Sequence, residues 1–299
     1  MISCSGLKKT EAQTDHQLLK DVEVLSSDQY EGRKTGTKGA EMARAYLKER
    51  FKAIGLNAYS SSYEQPFSFN DDKQQVIEGK NIVGYVPGRN DGVIVVSAHY
   101  DHLGIVGKEI YNGADDNASG VAGLLQLAAY FVKNKPEHTL IFAAFDAEEM
   151  GLRGAEAFVA NAPVALEKIR LNVNMDMISH NDKGELYVCG TFKYPELKKF
   201  IVVDDPDIKV LTGHDDPALG HDDWTDQSDQ GAFNRKNIPF LYFGVEDHKD
   251  YHKASDEYRN INKAFFIKAV NAIQSIVGHI DKDRDTQKIF RERLRMDKQ

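Results

Sequence analysis

Cysteine is scarce in this chain, with Cys4 and Cys189 the only two among 299 residues. They make no cysteine-based metal motif. A disulfide between them is disfavoured, because Cys4 sits in what reads as a loose tail, whereas Cys189 follows an apolar run and reads as a small buried hydrophobe. Long hydrophobic runs are missing too. None approaches the roughly 20 apolar residues that a membrane-spanning helix needs. Positive charge is not in surplus either. The net charge is −8, which argues against nucleic acid as a partner, because binding phosphates takes a basic face. Internal repeats and low-complexity tracts are absent. What remains is an ordinary globular composition, 41% hydrophobic and 28% charged.

The apolar residues that are present fall into two alternating patterns. Helical spacing covers Asp15–Leu25, Thr37–Ile54, Ala118–Lys133, Ala155–Ala160 and Ala264–Val277, with Gly55 a natural stop for the second. Short runs rich in β-branched residues cover Asn81–Val86, Val93–Val96, Thr139–Phe145, Leu171–Met175 and Phe240–Phe243. Wholly apolar runs of this kind suit strands buried on both faces. Strands alternating with helices predict a single α/β domain: a mostly parallel, mixed central sheet with helices on both faces. The expected division is a flexible segment over 1–14, a domain over 15–278 and a charged C-terminal helix or tail over 279–299. The start, Ile2-Ser3-Cys4-Ser5-Gly6, resembles the end of a bacterial lipoprotein signal whose apolar part has been trimmed. That reading implies a cell-envelope or secreted protein with a lipid anchor at Cys4; the alternative is a disordered N-terminus.

Five polar clusters follow predicted strands or open helices. They are Ser97-Ala98-His99-Tyr100-Asp101-His102, Asn112-Gly113-Ala114-Asp115-Asp116-Asn117, Asp146-Ala147-Glu148-Glu149, Asn174-Met175-Asp176 and Tyr251-His252. Open α/β sheets bind ligands outside the carboxyl ends of their strands, so the clusters should meet at one sheet edge. Each has an ordinary reading alone. Asp115 and Asp116 could cap a helix, and Glu148 and Glu149 could be a solvated helix start. Asp176 resists one, because a lone carboxylate in an apolar strand is costly unless it is paired or metal-bound. Two histidines and three carboxylates together suit zinc, and are enough for two metals about 3.5–4 Å apart bridged by one carboxylate.

The runs SAHYDHLG (97–104), YNGADDNASG (111–120), FDAEEMGL (145–152), NMDM (174–177) and YHKASDE (251–257) resemble, in order and approximate spacing, the secreted di-zinc aminopeptidases of the leucyl aminopeptidase and aminopeptidase Y kind. LSSDQYEGRKTGTKG (25–39) and SDQGAFNRKNIPFLYF (228–243) are similar to that family too. The resemblance covers roughly residues 15–278 and implies a zinc-peptidase-like fold that removes the N-terminal residue of peptides. It implies two zinc ions, with His99 and Asp176 on one, Glu149 and His252 on the other, and Asp115 bridging. Glu148 would be the general base, Asp101 would hold His99, and Tyr251 would donate to the oxyanion, with simple packing as its alternative. The partners implied are peptides with a free N-terminus.

Some residues lie outside this pattern. His248 precedes His252 by four positions, and His102 reads as a pocket or core residue. Gly213-His214-Asp215-Asp216 and Gly220-His221-Asp222-Asp223 look like metal loops, but read as a solvated acidic loop or the rim of a pocket. Gln230 stands where the family often has histidine. A lidded carboxypeptidase is disfavoured because Asp176 and His252 are 76 positions apart, too few for an inserted domain of about 100 residues. A glutaminyl cyclase resembles the same fold but works with one zinc and uses tryptophans near its pocket; here Trp224 is the only tryptophan. A binding module with a dead site would lack a ligand or the base, and none is lacking.

Overall fold

The computed structural model describes residues 4–283. In chain order the main elements are α1 (Cys4–Leu25), α2 (Lys38–Ile54), β1 (Glu64–Asn70), β2 (Val76–Val86), β3 (Val93–His99), β4 (Gly104–Val106), β5 (Glu109–Tyr111), α3 (Gly120–Lys133), β6 (Thr139–Phe145), α4 (Arg153–Ala160), β7 (Ile169–Met175), β8 (Glu185–Cys189), β9 (Lys209–Thr212), α5 (Gln230–Asn234), β10 (Phe240–Gly244) and α6 (Lys263–Lys282). Eight strands form one mixed sheet in the order β1-β2-β6-β3-β7-β10-β8-β9. Its centre, β6-β3-β7-β10, is parallel throughout; β2 runs antiparallel to both β1 and β6, and β8 runs antiparallel to β10 and parallel to β9.

Strand periodicity explains the layering. In β3, Ile94, Val96 and Ala98 join the core beneath α1, α2, α3 and α6, while Val93 and Val95 join the core beneath α4 and α5. β6 splits in the same way, with Leu140, Phe142 and Ala144 on one face and Ile141, Ala143 and Phe145 on the other. A strand with both faces apolar must be covered twice, and it is. The fold expected from the sequence is therefore the fold observed.

Element ends follow local chemistry. The Thr37 side chain caps α2 by accepting from Ala40 N, and Gly55 ends it at φ 92°, a left-handed angle that glycine adopts without penalty.

Three differences from the sequence reading concern the margins. Helix α1 starts at Cys4, so the segment 1–14 expected to be flexible is helical from that residue on, and Met1–Ser3 lie outside the described residues. Helix α6 runs on to Lys282, and residues 284–299 of the expected charged helix or tail lie outside the described residues. The edge strands β1 and β9 and the small β4-β5 pair carry no apolar run that would announce them. Among the described residues no helix is long and apolar enough to cross a membrane.

Candidate active site

The parallel strands end side by side, and three of them deliver polar groups to the same edge. His99 is the last residue of β3, Asp176 directly follows β7, and Glu148 and Glu149 follow β6. They line a cavity of about 380 Å³ together with Asp116, Trp224, Tyr242, Tyr251 and His252. A larger groove elsewhere, touching α1 and α3, carries no histidine.

The cavity floor brings together two donor groups that share one residue. His99, Asp116 and Asp176 each place a donor atom within 4.8 Å of the others, and so do His102, Asp116 and Glu149. His99 Nε2 stands 3.2 Å from Asp176 Oδ1 and 3.4 Å from Asp116 Oδ1. The other oxygen of Asp116 faces His252 Nε2 at 3.1 Å. His252 Nε2 is in turn 3.6 Å from Glu149 Oε2. Asp116 thus presents one carboxylate oxygen to each half of the site.

This corrects the expectation for Asp115. Its Oδ1 accepts the backbone N–H and the hydroxyl of Ser179, both at 2.7 Å, and its Oδ2 faces His248 Nε2 at 3.0 Å. Asp115 is turned into the protein, and its neighbour faces the cavity. The physical reason lies in the turn. Asp256 accepts from the backbone N–H of Asp115 at 2.9 Å and of Asp116 at 3.0 Å. Gly113, at φ 55°, brings the chain so close that a Cβ there would meet the carbonyl oxygen of Asp116 at 2.0 Å.

Asp101 has a wider role than the one assigned to it. Its backbone carbonyl lies 3.2 Å from His99 Nδ1, and its carboxylate lies 3.7 Å from the same nitrogen. The carboxylate also accepts the backbone N–H groups of Glu148 and Glu149, at 3.0 and 3.3 Å. It therefore positions His99 and the Glu-Glu turn together. The Tyr251 ring stacks on His252, centroids 4.0 Å apart. Burial first, and then nearby Asp116 and Asp176, raise the Tyr251 phenol above its ordinary value, so it keeps its proton.

Three further residues escaped the sequence reading or were given too little. His102 Nδ1 lies 2.7 Å from Glu149 Oε1. Asn117 donates to Met175 O at 2.9 Å and accepts from Gly120 N, tying the start of α3 to the end of β7. Arg33 is fully buried and donates to the carbonyls of Tyr100, Asn112 and Gly113 at 2.8, 2.5 and 2.9 Å. One guanidinium thus joins the two loops that carry His99 and Asp116, and burial lowers its pKa to about 10. Its signal in the sequence was its place in the run 25–39 that resembles the family, with nothing to mark the arginine itself.

The charges are strongly coupled. Burial opposes ionisation of His99, but the carboxylates of Asp176 and Glu148, with Asp101 and Asp116, raise it well above its ordinary value. Burial works against the Asp116 carboxylate, yet His102, His252 and His99 hold it well below the usual range. Glu148 is held well above the carboxylate range by burial, with His99 pulling the other way and Asp176, Asp229 and Glu149 adding to the rise. Four carboxylates packed this tightly against imidazoles are a site built for cations. Mixed nitrogen and oxygen donors fit zinc.

A family model described as peptidase family M28 matches residues 81–277. Leucine aminopeptidase 2 of Trichophyton rubrum is 28% identical over 212 residues, 62% of this chain and 41% of that one. The chain spans less than two thirds of the length of the curated relatives it matches. Among solved structures, an aminopeptidase from Aneurinibacillus sp. strain AM-1 superposes with a TM-score of 0.69 at 15% identity, covering 88% of this chain and 93% of that one. A Porphyromonas gingivalis glutaminyl cyclase superposes with a TM-score of 0.72 at 16% identity, covering 88% and 97%.

Proposed function

The chain belongs to peptidase family M28, and on that premise we propose that it is a zinc-dependent aminopeptidase working with two metal ions. The observation that carries this reading is Asp116, whose oxygens face His99 at 3.4 Å and His252 at 3.1 Å. His99 and Asp176 would hold one zinc, Glu149 and His252 the other, and Asp116 both. His102 would position Glu149 through its hydrogen bond. When bound, the zinc pair supplies Lewis acidity that makes a water more acidic and polarises the scissile carbonyl.

The remaining work falls to side chains. Glu148 lines the cavity without belonging to either donor group. It can take a proton from the attacking water and pass it to the leaving amine. Tyr251, its phenol neutral, can donate to the oxygen that gains charge at the carbonyl. A free α-amine is a cation near neutral pH, and Glu148 and Asp176 offer it carboxylates. Asp226 and Asp247 line the same cavity and add to the negative field. The peptidase domain would span residues 15–278.

Glutaminyl cyclisation is the second reading, favoured by Trp224 on the cavity wall. The Trp224 ring, however, is stacked on His214 at 3.5 Å and only 8% exposed. One experiment separates the readings: zinc content measured beside hydrolysis of matched peptides with a free, an acetylated and a glutaminyl N-terminus. At least two zinc ions, and cleavage of the peptides with a free N-terminus but not of the acetylated one, are expected. Equal cutting of the acetylated peptide would reject the aminopeptidase reading, and ring closure of the glutaminyl one would establish the cyclase.

A further inference from the structure

The loop between β9 and α5 carries a second group of donors. It contains Gly-His-Asp-Asp twice, at 213–216 and 220–223, and it folds so that the two histidine rings lie 4.8 Å apart. Glu246, two residues beyond the end of β10, brings Oε1 to 3.2 Å from His214 Nε2. His214, His221 and Glu246 each have a donor atom within 4.8 Å of the others.

His214 decides what this group is for. It is 2% exposed, and its Nδ1 lies 2.9 Å from the carbonyl oxygen of Asp222. A carbonyl can only accept, so Nδ1 donates to it and Nε2 is the ring nitrogen left to serve as a ligand in the neutral imidazole. That Nε2 is buried and has no hydrogen-bond partner. It lies 3.2 Å from a carboxylate oxygen of Glu246 without forming a hydrogen bond to it. Stacking on Trp224 at 8° between planes holds the ring in this orientation. A buried imidazole nitrogen without a hydrogen bond, close to a carboxylate oxygen and with a second imidazole alongside, is an arrangement that a metal ion completes. Two imidazoles and a carboxylate select zinc over calcium or magnesium, which prefer all-oxygen shells. His221 and Glu246 are exposed, so an ion has a path from solvent.

We propose that His214, His221 and Glu246 form an additional zinc site, separate from the cavity floor. Its place in the fold gives it a purpose. Glu246 stands between Val245 and Asp247, and all of Val245, Asp247, Trp224, Asp226 and Gln227 line the cavity. An ion bound here would fasten the loop bearing Trp224 to the end of β10 and so hold one wall of the cavity in place. The loop expected from its sequence to be a solvated acidic loop or the rim of a pocket would then be a rim closed by a metal.

The test is zinc content, measured by elemental analysis after equilibrium dialysis against micromolar zinc. Wild-type protein is compared with His221→Ala/Glu246→Gln, and the same pair is made in a Glu149→Ala background. Both changed residues are exposed, and circular dichroism checks that the fold is kept. The double variant should hold one zinc fewer than wild type. The same difference of one should persist in the Glu149→Ala background, whatever number of ions the cavity floor itself retains. Equal zinc content in the presence and absence of His221 and Glu246 would overturn the proposal, and would leave the di-zinc reading of the cavity untouched.

Discussion

Ser179 gives both its backbone N–H and its hydroxyl to one oxygen of Asp115, each at 2.7 Å. The other Asp115 oxygen is taken by His248 at 3.0 Å. Both oxygens of Asp115 are therefore engaged inside the protein, and the next residue, Asp116, is the one that faces the cavity.

Replacing these two neighbours should have opposite consequences. Asp115→Ala leaves the Ser179 groups and His248 without their partner in a buried place, which should cost about 1–3 kcal/mol of stability while zinc binding largely survives. Asp116→Ala should lose zinc from both halves of the site and all turnover. Denaturation midpoints and zinc content of the two variants give the answer. A metal-free Asp115→Ala of normal stability would return the bridging role to Asp115.

Glu148→Gln should leave the metal content unchanged, because the residue belongs to neither donor group. Turnover should fall about 10²–10⁴-fold, the usual contribution of a general base. Steady-state rates alongside elemental analysis test this. A variant with the wild-type rate would move the base elsewhere, to Glu149 first.

Asp229 predicts a pH dependence. Both of its carboxylate oxygens are buried without a hydrogen-bond partner, and burial, against the pull of His99, raises its pKa to about 8. An acid whose folded pKa lies above its unfolded value binds its proton more tightly when folded. Stability from this group is therefore complete below about pH 4 and is lost as the pH climbs through 8. In chelated protein, Asp229→Asn, which mimics the protonated acid, should match wild type near pH 4 and exceed it at pH 8. Chemical denaturation at the two pH values is the measurement. A stability difference that does not change with pH would show that Asp229 does not titrate in this range.

Much of the molecule was legible in its sequence. The apolar β-branched runs Val93–Val96 and Thr139–Phe145 announce doubly covered strands, because only such strands are apolar on both faces. Once these strands are parallel, the polar residues after them must gather at one edge, so His99, Glu148, Glu149 and Asp176 could be assembled without coordinates. The edge strand Glu64–Asn70 alternates half-buried with exposed residues and offers no such signal.

What the sequence by itself determined is the inventory of the site, because donor types and their places after strands are local properties of the chain. What only the tertiary structure decided is the direction in which each donor points. Asp115 and Asp116 are chemically identical neighbours, and nothing within a few residues distinguishes them. The choice is made by Ser179 and Asp256, which lie 64 and 140 positions or more along the chain. They capture one carboxylate and hold the turn so that the other faces the cavity. The same holds for His102 against Glu149 and for Arg33 beneath the two loops. Side-chain direction is set by partners brought close by folding, and those partners are invisible to spacing.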